Sequence, residues 1–119
     1  MPERQPLSCA TVTRLEQLQS FVASSPADPF PRYGVAMELK NLGRLDEARV
    51  AFDELVENFP DYTPAYFHSG AVSAAMGRRD EAKRIYEQGI SATAKKGDLH
   101  AKGELEAALG DLELTGQIG

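Results

Sequence analysis

Two histidines, one cysteine and two Asp-Glu pairs are the residues of this chain whose types could do more than pack. His68 and His100 have no cysteine within metal-ligand spacing, and Cys9 is the only cysteine, so no set of Cys and His suits zinc. No G-x-x-x-x-G-K phosphate loop and no G-x-S-x-G elbow occurs. Asp46-Glu47 and Asp80-Glu81 could in principle share acid–base work. Each pair stands at an expected helix start, however, where a carboxylate caps free N–H groups and suits the macrodipole. Capping also accounts for their recurrence at a fixed offset. No catalytic residue, metal site or cofactor is expected.

The elements that carry these residues are helical. With Lys and Arg totalling 13 against 18 Asp and Glu, the net charge of −5 argues against a nucleic-acid binder, since phosphate contacts need clustered cations. No apolar run approaches the ~20 residues that span a bilayer, so no membrane association is expected. The start, MPERQP, carries two prolines and two charges and does not read as a signal peptide. A lone Cys9 suits a reducing compartment, and the expected location is cytoplasmic.

Residues 1–10 read as a mobile tail and 11–114 as one domain. A helix is expected over 12–24, with Thr13 and Glu16 at capping-box spacing, an apolar stripe of Leu15, Leu18 and Val22, and Ser24-Ser25-Pro26 as its stop. From Pro29 a 34-residue unit occurs twice without a gap, over 29–62 and 63–96. Gly43 falls on Gly77, Asp46-Glu47-Ala48 on Asp80-Glu81-Ala82, and Phe52 on Tyr86. Each unit reads as two helices. Asp28 and Thr63 are expected to cap, Pro29 and Pro64 to take the first helical position, and Gly43 and Gly77 to end the first helix. Val35, Ala36, Leu39 and Leu42 form the inward stripe of the first unit. The last helix is expected over 98–114, with Leu99, Leu105, Ala108, Leu109 and Leu112 inward, and 115–119 to fray.

The repeated units resemble the tetratricopeptide repeat, a family of helix pairs with this period. Ala36 and Gly70 match its small residue in the first helix, Ala48 and Ala82 its near-obligatory alanine, and Phe52 and Tyr86 the aromatic that follows. Pro60 matches the closing proline in one unit only, and Arg32 stands where the family usually has an aromatic. The resemblance implies an all-α fold: antiparallel helix pairs stacked as a short right-handed solenoid of about six helices, with 12–24 and 98–114 as capping elements.

In that family the first helices of successive repeats line a concave groove. The matching face here carries Phe30, Tyr33, Met37, Lys40 and Asn41 in one unit and Phe67, His68 and Ala71 in the next. The resemblance therefore implies a non-enzymatic protein–protein interaction module that binds a peptide or helix segment in an apolar groove. The alternative is a self-associating structural protein, a homodimer through the groove or the terminal helices. Tyr33 and Met37 replace the lysine and asparagine of the family's carboxylate clamp, so an extended or helical apolar segment is the expected ligand.

Overall fold

Why the chain breaks into helices where it does is set by a few residues. The computed structural model describes residues 13–118. The expected tail, 1–10, lies outside them. Among the described residues are six helices and no strand: α1 (Arg14–Ser24), α2 (Pro29–Asn41), α3 (Leu45–Asn58), α4 (Pro64–Ala75), α5 (Arg79–Lys96) and α6 (Leu99–Ile118).

Thr13 opens α1 with a reciprocal capping box: its hydroxyl accepts from the Glu16 N–H at 3.1 Å, and the Glu16 carboxylate accepts from the Thr13 N–H at 3.1 Å. Asp28 caps α2 by accepting from the Phe30 N–H at 3.0 Å, with Pro29 at the first position. The two repeats close their first helices identically. Gly43 and Gly77 both have φ of 79°, a left-handed conformation that a Cβ disfavours. Their N–H groups donate to Lys40 and Ala74, each at 3.0 Å, and those of Arg44 and Arg78 to Leu39 and Ser73, at 2.9 and 2.8 Å. This double closure satisfies carbonyls that would otherwise be orphaned.

Each helix packs on the next, and α4 also touches α2 and α6. The first helix of each repeat therefore lies beside the first helix of its neighbour. The molecule extends over 57 × 34 × 21 Å. One core cluster gathers Ala36, Leu39, Ala48, Phe52, Leu55, Ala65 and Val72, and a second gathers Tyr66, Ala82, Ile85, Tyr86 and Leu105. Ala36, Ala48 and Ala82 have no exposed surface. Gly70 lies against Tyr86, whose ring occupies the space a Cβ would need. At Gly89 a Cβ would sit 2.6 Å from the Tyr66 Cβ, so both glycines mark close helix crossings.

Five expectations need correction. Thr63 does not cap with its side chain: it precedes α4 with helical backbone angles, is buried, and makes no side-chain bond to the helix, and the Ala65 and Tyr66 amides donate instead to the Tyr62 and Thr63 carbonyls. Asp46-Glu47 and Asp80-Glu81 lie in the first turns of α3 and α5, but neither helix has a side-chain cap; Glu47 and Glu81 bind arginines. Leu42 is 52% exposed, because α2 ends one residue earlier. Leu99 is 74% exposed, since it is the first residue of α6 and precedes the turn that meets the core. Finally, α6 runs to Ile118, past the stop expected at 114.

Candidate functional site

The residues expected to line a groove stand on α2 and α4, which touch each other. Tyr33, one turn into α2, is half-buried. Its ring centroid is 5.5 Å from Tyr62, 6.5 Å from Phe52 and 6.0 Å from His68. Phe67 meets His68 edge-on at 5.3 Å. Rings from two successive repeats are thus joined through one imidazole, in edge and tilted geometries that aromatic quadrupoles favour. Met37 packs on the first core cluster, and Ala71 is half-buried on α4. Phe30 and Asn41 stand exposed at opposite ends of α2. Phe30 is 67% and Phe67 38% exposed, so these two rings offer apolar surface while Tyr33 forms the floor between repeats. The sequence treats Tyr33 as lying off the internal core; its contact with fully buried Phe52 corrects that.

His68 is the most constrained polar group here. Its Nδ1 is buried and has no hydrogen-bond partner. Burial, and next the nearby Lys40 charge, hold the imidazole below its usual pKa, with Glu104 on α6 acting the other way. Burial also raises the Tyr33 phenol, which stays protonated at neutral pH. The charges that act on His68 of α4 thus come from Lys40 on α2 and Glu104 on α6.

Two groups escape a reading of the sequence. Tyr62, in the turn after α3, meets the Tyr33 ring edge-on at 5.5 Å. Glu81 accepts two hydrogen bonds from Arg49 across the repeat boundary, at 2.7 and 3.1 Å, and a third from Ser73 Oγ at 3.0 Å. Arg32, which departs from the family pattern, donates to the Pro26 carbonyl at 3.1 and 3.3 Å and lies 5.9 Å over the Phe59 ring. Pro60 is exposed, and its carbonyl accepts from the Tyr66 hydroxyl at 2.8 Å. His100 is a surface residue 3.4 Å from Glu104. Among the described residues no group of three or more His, Cys, Asp or Glu could hold a metal ion, and no helix is long and apolar enough to cross a membrane.

Models of the tetratricopeptide repeat match residues 32–62 and again residues 63–96. The solution structure of a tetratricopeptide repeat domain protein from Salinibacter ruber is 36% identical, covering 75% of this chain and 90% of its own, with a TM-score of 0.71. This chain belongs to the tetratricopeptide repeat family. A crystal structure of the tetratricopeptide repeat domain protein from Salinibacter ruber agrees, at 36% identity, a TM-score of 0.69, and coverage of 72% of this chain and 97% of that one. A protein from Bordetella parapertussis shares the fold at 21% identity, with a TM-score of 0.76 over 88% and 91% of the two chains. No curated protein matches the chain. In tetratricopeptide terms α2–α3 and α4–α5 are the two repeats, and α2 and α4 are their first helices. Proteins of this family generally mediate protein–protein interaction.

Proposed function

We propose that this protein is a non-enzymatic scaffold that works in the cytoplasm and holds an apolar segment of a protein partner on the concave face of α2 and α4. The observation that carries the reading is Phe67: a ring 38% exposed and braced edge-on by His68. Phe30 extends the same apolar character to the start of α2. Aromatic anchors at the centre of an interface commonly carry most of its energy. In this reading α1 and α6 cap a two-repeat domain over 11–114, Lys40 and Asn41 supply a polar edge, and Met37 and Ala71 line the surface between the rings. The net charge of −5 supports a protein partner over a nucleic acid.

The test is capture from the source cell, followed by titration of the identified partner against the wild type, Phe67→Ala and Phe30→Ala. Phe67→Ala is expected to weaken binding at least about tenfold with little change in melting temperature. Tyr33→Ala is the wrong probe, because its ring contacts Phe52 and its loss disturbs the fold. Unchanged affinity in both phenylalanine variants would reject the surface.

A second reading, self-association, is favoured by the terminal helices. Leu99 is 74% and Leu114 58% exposed on α6. Light scattering coupled to size exclusion separates the two: a stable dimer at micromolar concentration supports self-association, and a monomer supports the scaffold.

A further inference from the structure

We infer that His68 is an acid-operated latch between α2 and α4: Tyr33 and Phe67 close around its neutral imidazole and loosen when the ring takes a second proton. The geometry carries this. A protonated imidazole bears an N–H on both nitrogens, whereas the neutral ring with its proton on Nε2 leaves Nδ1 bare. One of those N–H groups would stand at Nδ1, which is sealed from water and has no acceptor. A buried donor without a partner is costly, more so when charged. The ring also bridges the two repeats, 6.0 Å from Tyr33 and 5.3 Å from Phe67, so relief by rotation or withdrawal moves the rings on either side.

The charged and titratable groups facing His68 come from two other helices. Lys40 on α2 opposes the imidazolium, and Tyr33 on α2 stays a neutral phenol. Glu104 on α6 favours the cation, but it is exposed and lies 3.4 Å from His100. Burial and Lys40 prevail, so an opened or unfolded chain takes up the proton before the closed one does. The stability conferred by the closed cluster is complete above the ordinary histidine value of about 6.5. It is lost as pH falls from there through the lower value of the folded ring. Phe67 is the anchor in the proposed groove, so a partner held there would be released on acidification; this consequence rests on the groove reading, while the latch does not.

The experiment is an NMR titration of the free wild-type protein from about pH 8 to pH 5, following the His68 imidazole and the Tyr33 and Phe67 ring signals. Thermal melts over the same range compare the wild type with His68→Gln, His68→Phe, Lys40→Met and His100→Gln. The Tyr33 and Phe67 signals should move with the His68 midpoint, below the ordinary histidine value. The wild-type melting temperature should fall over the same interval. His100→Gln should keep that fall, Lys40→Met should move its midpoint upward, and both His68 variants should lose it. A His68 midpoint at or above the ordinary value would overturn the latch, as would His68 variants that melt with the wild-type pH dependence. If the His68 variants do not fold, the wild-type titration alone decides. Because every readout is on the free protein, a groove that binds nothing leaves the latch standing, and a failed latch leaves the groove standing.

Discussion

Gly70 and Gly103 are both helical glycines, and they stand in opposite surroundings. A Cβ at Gly70 would collide with the Tyr86 ring, whereas one at Gly103 would meet nothing within 4 Å. Gly103→Ala should therefore stabilise the protein by about 1 kcal/mol through helix propensity alone, while Gly70→Ala should destabilise it despite the same gain. Denaturant melts of the two variants check the pair, and melts of equal sign would refute the crossing at Gly70. Gly70 is legible in the sequence because it falls on Ala36 one period earlier; nothing in the structure explains Gly103. The unequal burial of Tyr33 and Phe67 is not legible, although they are equivalent positions. Tyr33 is walled by Tyr62, and the residue one period after Tyr62 is Lys96, whose Nζ turns away to the Asp61 carbonyl at 3.0 Å. The exchange of Tyr62, in a turn, for Lys96, at the end of α5, thus covers the first ring and leaves the second without an aromatic neighbour at that position.

Between elements, the period is written in punctuation that acts locally. Pro29, Pro64, Gly43 and Gly77 work through their own backbone, so the helix pairs can be read from the chain alone. Contacts across repeats cannot. Arg49 and Lys83 are equivalent, and each reaches a carboxylate on a later helix: Arg49 to Glu81 at 2.7 Å and Lys83 to Glu113 at 3.8 Å. The sequence suggests capping for Glu81 because a helix start is local, while its true partners on α3 and α4 become neighbours only after stacking. The Arg49 hydrogen bonds hold the Glu81 carboxyl below the usual carboxylate range. Its contribution is therefore present above the ordinary glutamate value of about 4.3 and is lost as pH falls through the lower folded value. Glu81→Gln should destabilise by about 1 kcal/mol, allowing for partial solvent screening, and urea melts of wild type and variant should converge in acid. Equal stability at neutral pH would mean that the bridge between repeats contributes nothing.

For the molecule as a whole, a two-repeat stack leaves both apolar ends and the α2–α4 face to be accounted for. The ends are covered by α1 and α6, yet Leu114 remains exposed, and Phe30 on α2 and Phe67 on α4 stay open to solvent. The period places Tyr33 and Phe67 on one face, and stacking joins them through His68. The groove account and the self-association account therefore make different demands on the same molecule. The measurement that tests the groove account most directly is a map of backbone amide shifts in the isotope-labelled protein as the captured partner is added. The account predicts shifts concentrated on the concave side of α2 and α4, around Phe30, Tyr33, Lys40, Phe67 and His68, and lost in Phe67→Ala. Shifts confined to α1 or to the outer face of α6 around Leu114, with the α2–α4 face silent, would contradict it.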